Sequence, residues 1–390
     1  MNKQPTLQGI LSQFVGNYAQ QHSISPARYK VIRHLTACRT PALGGQFVHC
    51  DTCDFQQHRY HSCRNRHCPQ CQQKATRQWC EAQQEKLLPV PYYHLVFTLP
   101  HELNPWVQCH DDVVYSCLFA AAWHTLKTFA ADKKRLNGEL GMTAILHTWG
   151  QNLSRHVHLH CLVPGGALLT GPTSTDKTSA DRQPEWHPAK SHYLFPARAL
   201  SRHFRGKMVS ARRHAWKQNE LPRLKPVDVN RTLNTLMAKD WVVYSKAHLK
   251  QPDTIVRYLG RYTRKIAISE SRIRTVSEHH VTFDYKDYRD NKDKLMRLGG
   301  PEFLRRFLLH VLPQGFVRIR HYGFLSNRHR KQKLRIIRQC LKAALREPEK
   351  TTLETKMDTG IKLVTCRCPK RKKGRLQVCY EIPATPLYGR

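Results

Sequence analysis

The chain has 390 residues, and its 65 lysines and arginines against 28 acidic residues give a formal charge of +37. That length accommodates two or three domains with cores of their own, and so large a positive charge predicts a polyanionic partner, nucleic acid first. The sequence shows no apolar run of about 18 residues, no signal core and no lipidation motif, which argues against a membrane or secreted protein and for a cytoplasmic one.

The first motif is a pair of CxxC sequences. Cys50 and Cys53 form one pair, and Cys68 and Cys71 form the other, 14 residues further on. Cysteines of a cytoplasmic protein are not expected to form disulfides, and two CxxC pairs at this distance are typical of a tetrahedral zinc site. The segment has few apolar residues, so we expect the metal to supply much of its folding energy.

Further metal-ligand types crowd the same segment: Cys38, His58, His61, Cys63 and His67. A second zinc site made of Cys38, Cys63 and His67 and a purely structural role for these side chains both stay open. Residues 73–86 are predicted to form a helix that leads out of the zinc module.

The middle of the chain alternates strand and helix patterns. The sequence predicts strands at 92–100, 142–149 and 155–163 and a helix at 113–126, from β-branched and aromatic runs and from helical spacing of apolar residues. Residues 150–154 have the composition of a turn, so the strands at 142–149 and 155–163 are predicted to be antiparallel neighbours.

The third of these strands carries three histidines at alternate positions. His156, His158 and His160 therefore point to one face, and the apolar residues between them point to the other. Buried imidazoles without a partner are costly, and neutral imidazole is a common metal ligand, so one interpretation is a metal site. The other is a half-exposed strand in a histidine-rich chain, which has 24 of them.

Residues 171–187 are polar and predict an exposed loop, residues 196–240 predict basic helices, and residues 241–245 a short strand. A helix is predicted to start behind the N-cap Asp253. Tyr258 and Tyr262 are four residues apart and so lie on one face of it. The rest of the helix is cationic and is predicted to bind DNA, through Arg257, Arg261, Arg264 and Lys265. By itself the pattern also fits a basic amphipathic helix with half-buried tyrosines.

The C-terminal part is strongly basic. Residues 303–346 contain no acidic residue and twelve lysines and arginines, as expected of a surface that binds a phosphate backbone. A strand at 316–324 and a basic helix at 331–346 are predicted, followed by a flexible tail that also binds nucleic acid. The predicted DNA contacts of this part are Arg318, Arg320, Arg328, Arg330 and Lys331.

Together these motifs resemble a known family. The order of a CxxC…CxxC module, a His-apolar-His strand and a Tyr-x3-Tyr helix resembles the two-tyrosine HUH endonucleases. More narrowly it is similar to the insertion sequence 91 family of rolling-circle transposases, in its 801/1294-like branch. The segments that carry the resemblance are CRTPALGGQFVHCDTC, HSCRNRHCPQC, LHTWGQNLSRHVHLHCLVPGG and YLGRYTRKIAIS, and the similarity extends over about residues 30 to 385.

The resemblance implies an α+β fold with three consecutive regions. Residues 1–87 would hold a helical start and a zinc ribbon-like domain. Residues 88–300 would form an RRM-like HUH catalytic domain, an antiparallel sheet with helices, with an insertion near 165–240. Residues 301–390 would be a basic helical DNA-binding region and tail. Relatives often carry Cys-Pro-x-Cys in the tail, where this chain has Arg371 in place of the second cysteine.

The resemblance also implies site residues and a reaction. His158 and His160 map to the pair that binds a catalytic Mg²⁺ or Mn²⁺, whereas the role of His156 and the third ligand stay open. Tyr258 and Tyr262 map to the nucleophiles. The expected activity is metal-dependent cleavage and transfer of single-stranded DNA, at transposon ends and targets, through 5′-phosphotyrosine intermediates, in a bacterial cytoplasm and at the nucleoid when bound to DNA. A rolling-circle replication initiator or relaxase, and a non-catalytic zinc-dependent DNA-binding protein, are the alternatives.

Overall fold

The structure is a computed structural model, and it describes residues 4–84, 86–169, 183–190, 192–249, 255, 260, 267–342 and 367–385. The chain divides into two compact units. The first comprises Met1–Ala75, Ile268–Val311 and Pro348–Arg390, and the second comprises Thr76–Ala267 and Leu312–Glu347. These units differ from the predicted consecutive regions, because each is assembled from distant parts of the sequence.

The described residues form helices and strands of an α+β protein, as predicted. The helices are α1 (Leu7–Gln21), α2 (Pro26–Thr36), α3 (Pro69–Gln84), α4 (Asn104–Cys109), α5 (Asp111–Ala131), α6 (Ala197–Lys217), α7 (Pro226–Ala238), α8 (Gly300–Leu308) and α9 (Arg330–Cys340). The strands are β1 (Gly45–Cys50), β2 (Gln56–Tyr60), β3 (Tyr92–Thr98), β4 (Gly141–Trp149), β5 (Arg155–Pro164), β6 (Gly166–Leu169), β7 (Glu185–Pro188), β8 (Val243–Leu249), β9 (Ile273–Val276), β10 (His280–Asp287), β11 (Lys292–Gly299), β12 (Ile319–Gly323) and β13 (Leu376–Ile382).

The first unit combines two three-stranded antiparallel sheets, ordered β13-β1-β2 and β11-β10-β9, with helices α1, α2 and α8. Helix α1 packs on α8 so closely that a Cβ atom at Gly300 would lie 2.1 Å from Cδ1 of Phe14. Helix α8 and the sheet before it belong to this compact unit, although the sequence groups the strands of that sheet with residues 88–300.

Strand β13 corrects a second prediction. The segment expected to be a flexible tail pairs with β1 from Gly45↔Ile382 to Cys50↔Leu376. Backbone hydrogen bonding in this ladder therefore joins the C-terminal part of the described chain to the N-terminal module.

The second unit is built on a five-stranded antiparallel sheet in the order β12-β4-β5-β3-β8. One face carries the large apolar core, in which alternate residues of the strands, such as Leu95, Leu146 and Leu159, are buried with residues of α5 and α6. The predicted pairing of β4 with β5 is confirmed. Helix α6 and helix α7 occupy the region predicted to be helical, whereas β7 lies within the segment predicted to be a loop, of which residues 183–187 are described.

Across the part of the chain that the structure describes, no helix is long and apolar enough to cross a membrane.

Candidate active site and metal centres

A cluster of histidines occupies the face of the five-stranded sheet opposite the large core. His158 and His160 lie on β5, and His147 lies on β4, directly across from His158 in the strand register. One ring nitrogen from each of the three lies within 4.8 Å of the others. All three side chains are buried. We call His147, His158 and His160 the histidine cluster.

Hydrogen bonds orient the two rings on β5. Nδ1 of His158 lies 2.9 Å from the carbonyl oxygen of His156, and Nδ1 of His160 lies 2.9 Å from Nε2 of His94 on β3. The two Nε2 atoms then face each other at 3.1 Å. A hydrogen bond on one ring nitrogen fixes the tautomer and aims the other nitrogen at a metal. The arrangement therefore directs both Nε2 atoms toward one point.

Burial keeps the imidazoles of His158 and His94 neutral. Desolvation lowers the pKa of His158 to about 4, with a smaller contribution from His156. It also lowers the pKa of His94 to about 3, where Lys246 and His158 contribute as well. Both rings are therefore unprotonated at pH 7, the form in which imidazole binds a metal ion.

The donor set fits a divalent ion. Two nitrogens bound at about 2.1 Å, the distance of a metal–imidazole bond, lie about 3.0 Å apart when they meet at a right angle at the metal. The observed 3.1 Å between the Nε2 atoms of His158 and His160 agrees with that geometry. Among the described residues, the cluster contains three imidazoles and no carboxylate. Such a set favours ions that accept nitrogen ligands.

The structure separates the three histidines of the predicted row. His158 and His160 share the cluster, but no ring nitrogen of His156 joins it: its carbonyl oxygen supports His158, and its ring centroid lies 4.8 Å from that of His158 and 5.9 Å from that of His101. His147 was missed in the sequence, although it lies in the middle of a strand that was predicted to pair with the histidine strand. The signal for it in the sequence was a histidine within the largely apolar strand β4.

The predicted nucleophiles Tyr258 and Tyr262 lie outside the described residues, as do Arg257, Arg261, Arg264 and Lys265. Two residues of this segment are described, and both are helical: Ile255 and Gly260. Ile255 is buried in an apolar cluster with Ile145 and Leu162. These two residues share the sheet face of the histidine cluster, since Ile145 pairs with His160 and Leu162 follows it by two positions.

Four cysteines form a separate cluster in the first unit: Cys38, Cys63, Cys68 and Cys71. Their Sγ atoms are 3.6 Å apart between Cys38 and Cys71, 3.7 Å between Cys63 and Cys71, and 3.6 Å between Cys68 and Cys38. Four thiolates around a zinc ion at about 2.3 Å lie about 3.8 Å apart. Contacts from Cys63 and then Cys68 lower the pKa of Cys38, which favours the thiolate that zinc requires.

This cluster changes the predicted zinc ligands. The two CxxC pairs do not meet at one site: Cys68 and Cys71 join Cys38 and Cys63, whereas Cys50 and Cys53 lie with Cys368 from the C-terminal segment. His67 is in neither group. The prediction grouped cysteines that are close in sequence. In the structure, the pairing of β13 with β1 brings Cys368 to Cys50 and Cys53. Cys38, just after the end of α2, joins Cys68 and Cys71 instead.

The predicted DNA contacts of the C-terminal part differ in accessibility. Arg318 is buried, and the guanidinium of Arg320 stacks on the ring of Phe119 at 4.3 Å. Arg328 and Lys331 are exposed, next to the start of α9. The exposed residues are therefore the better placed to bind a phosphate backbone, whereas Arg318 and Arg320 take part in packing.

Comparison with known proteins identifies relatives of both halves of the chain. Residues 10–99 match the family model described as "Transposase zinc-binding domain", and residues 141–333 match the model described as "Putative transposase". The chain is 38% identical to "Putative transposase y4qJ" of Sinorhizobium fredii over 95% of the chain and 94% of that protein. It is 29% identical to "Transposase for insertion sequence element IS801" of Pseudomonas savastanoi pv. phaseolicola, over 82% of the chain and 75% of that protein. No solved structure matches the chain.

Proposed function

The chain belongs to the insertion sequence 91 family of transposases, and we propose that it cuts and rejoins single-stranded DNA through tyrosine side chains beside the histidine cluster. Membership of the family makes it an enzyme that acts on DNA and contains a zinc-binding domain. The proposal concerns the chemistry: the nucleophile, the catalytic metal and the single-stranded substrate. We propose transposition and not the initiation of plasmid replication, because the relatives are described as transposases.

The observation that carries the proposal is the buried histidine cluster on the sheet face opposite the large core. His158 is neutral at pH 7, and hydrogen bonds orient the rings of His158 and His160 so that their Nε2 atoms can bind a metal ion. His147, His158 and His160 would hold a divalent ion there. Mn²⁺ suits imidazole better than Mg²⁺ does, so we expect Mn²⁺ to bind more tightly.

The burial of Ile255 supports the tyrosine assignment. Ile255 belongs to the same buried apolar cluster as Ile145 and Leu162, which share the sheet face of the histidine cluster. In an α-helix, residues at i, i+3 and i+7 share one side, and Ile255, Tyr258 and Tyr262 have this spacing in the sequence. Helical spacing would therefore direct both hydroxyls to the side of the helix on which Ile255 is buried.

The chemistry then follows from the properties of a phenol. A tyrosine hydroxyl has a pKa of about 10 and is a weak nucleophile at neutral pH, but nearby cations favour its phenolate. Arg257 and Arg261 flank Tyr258 in sequence and suit that role. The bound ion would polarise the scissile phosphate and stabilise the charge that develops on it.

In the proposed reaction, the tyrosine Oη attacks the phosphorus, a new P–O bond forms, and the bond to the 3′ oxygen breaks. One strand end becomes a 5′-phosphotyrosine, and the other leaves as a free 3′-hydroxyl that takes up a proton. The covalent link preserves the phosphodiester for rejoining, since a 3′-hydroxyl can attack it in reverse. Two tyrosines allow two successive transfers, as a rolling-circle route requires.

The charge of the chain suits a single-stranded substrate. A net charge of +37 provides lysines and arginines for the backbone, and aromatic side chains can stack on unpaired bases. We therefore expect salt-sensitive binding to single-stranded ends and target DNA.

A covalent-adduct assay tests the proposal. The full chain is incubated with Mn²⁺ and a single-stranded oligonucleotide that carries the end of the element and a label at its 3′ end. A 5′-phosphotyrosine retains the labelled 3′ part, so the protein band becomes labelled. Tyr258→Phe and Tyr262→Phe should each remove one transfer, and the double variant should form no adduct.

Matched histidine variants test the metal role. His158→Ala should abolish the adduct but leave salt-sensitive DNA binding, whereas His156→Ala should retain the adduct because its ring is not in the cluster. The tyrosine assignment fails if the double Tyr→Phe variant still forms adduct. The metal role fails if cleavage persists in EDTA. Binding without any adduct by the wild type would instead indicate a non-catalytic DNA-binding protein.

A further inference from the structure

Three of the cysteines outside the four-cysteine cluster meet at one point: Cys50, Cys53 and Cys368. Cys50 and Cys53 bracket the turn between β1 and β2, and Cys368 precedes the turn that leads into β13. Their sulfur atoms all lie within 4.8 Å of one another, and Sγ of Cys53 is 3.6 Å from Sγ of Cys368. That separation again approaches the roughly 3.8 Å between thiolates that share a tetrahedral zinc ion.

We propose that Cys50, Cys53 and Cys368 bind a second zinc ion, which fastens the C-terminal strand β13 to the N-terminal module. The family's zinc-binding domain matches residues 10–99 only, so it does not include Cys368. The inference is independent of the DNA chemistry proposed above. One more cysteine, Cys366, stands next to this group in the sequence and lies outside the described residues.

The backbone around the three sulfurs is fixed by hydrogen bonds between the two ends of the chain. The amide of Asp51 donates to the carbonyl of Arg375 at 3.0 Å, and the amide of Arg375 donates to Oδ1 of Asp51 at 2.8 Å. The amide of Cys368 donates to the carbonyl of Gly374 at 2.7 Å, which closes the turn. The two turns are therefore held face to face with their cysteines between them.

The turn that leads into β13 covers the site tightly, as the surroundings of Gly374 show. A Cβ atom at this position would lie 2.0 Å from Oγ1 of Thr52 and 2.4 Å from Sγ of Cys50. Thr52 in turn contacts the same sulfur, with its amide 3.5 Å and its Oγ1 3.4 Å from Sγ of Cys50. Donors that converge on a sulfur atom support a thiolate, the form that binds zinc.

The apolar surroundings are too small to hold this sheet together alone. The buried hydrophobic cluster consists of Val48, Cys50, Cys368 and Leu376, with three partly buried neighbours. Units with so little core usually depend on a metal or disulfides. A disulfide would join two of the three sulfurs and leave the third, whereas one ion uses all three.

Zinc content of the purified full chain tests the inference. Two ions per chain are expected, one for each cysteine group. Cys368→Ser should reduce the content to one, and Cys68→Ser should also reduce it to one by removing the other ion. Cys379→Ser is the matched control, since Cys379 is an exposed cysteine on β13, and it should retain two. A wild type with one ion, or a Cys368→Ser chain with two, overturns the inference.

A second measurement needs no variant and so avoids the risk that Cys368→Ser does not fold. The wild-type chain is treated with a thiol-alkylating reagent, with and without removal of zinc by a chelator, and each cysteine is scored by peptide mass spectrometry. Cys50, Cys53 and Cys368 should be protected together in the zinc-loaded chain and modified together after chelation, whereas Cys379 should be modified in both. Equal modification of Cys368 with and without zinc contradicts the proposal.

Discussion

Replacement of His94 by leucine should weaken metal binding at the histidine cluster without removing a ligand. His94 is buried on β3, and its Nε2 lies 2.9 Å from Nδ1 of His160. If His160 binds the ion through Nε2, its proton sits on Nδ1 and needs an acceptor. Leucine offers none, so the metal-bound state would lose this buried hydrogen bond.

The size of the effect follows from that lost hydrogen bond. An unsatisfied buried donor costs about 1–3 kcal/mol, which at about 1.4 kcal/mol per factor of ten corresponds to roughly 5- to 150-fold weaker binding. Removal of the hydrogen-bond partner of a metal-bound histidine lowers metal affinity by about 10- to 100-fold. We therefore expect the Kd for Mn²⁺ to rise by one to two powers of ten, about 10- to 100-fold.

Titration of the full chain with Mn²⁺, followed by the electron paramagnetic resonance signal of the free ion, measures this Kd. The matched control is His321→Leu on β12, because His321 is also a histidine of this sheet but pairs with Oγ1 of Thr143 at 3.0 Å and not with a cluster member. His94→Gln, which restores an acceptor, should recover part of the affinity. Unchanged Mn²⁺ binding by His94→Leu, or an equal loss in both leucine variants, would refute the reasoning.

Three further results are expected. His147→Ala should lose both Mn²⁺ binding and the DNA adduct, because His147 completes the cluster; an adduct at the wild-type level would remove it from the site. Burial lowers the pKa of His321 to about 4, below the 6.5 or so of an unfolded chain, so the unfolded state binds more protons between these values. The free energy of unfolding should therefore fall between pH 6.5 and 4, by at most about 3 kcal/mol for this residue, and urea denaturation of His321→Leu should show a shallower fall. Gly300→Ala should destabilise the chain by about 1–3 kcal/mol, since its Cβ would lie 2.1 Å from Phe14, whereas the control Gly16→Ala in α1 meets nothing within 4 Å and should stabilise it by up to about 1 kcal/mol.

Local patterns were enough to predict the elements of the second unit. Strand β5 alternates histidine and apolar residues from His156 to Cys161, and the short turn before it leaves β4 as its partner. These features depend on residues close in sequence, where side-chain direction and turn length determine the outcome. The same alternation predicts that these histidines share one face of the sheet.

To predict the third member of the cluster, His147, the register between β4 and β5 must be known. His147 meets His158 only because these two residues are paired across β4 and β5, and a bulge-like shift occurs between His147 and Trp149. A slip by one residue would turn His147 toward the apolar core. The sequence indicated the pairing of the strands but not its register, so the row His156, His158 and His160 was the pattern that could be seen.

The cysteine sites could not be predicted for a different physical reason. A metal site joins any residues whose backbones meet, and the entropic cost of closing a long loop grows only slowly with its length. Cys368 is 315 residues from Cys53, yet the pairing of β13 with β1 brings the two sulfurs to 3.6 Å. The histidine cluster differs, because its rings are held by a sheet that a large apolar core already supports. Removal of metal should therefore leave the second unit folded while it loosens the first, in which β13 is held by few buried side chains.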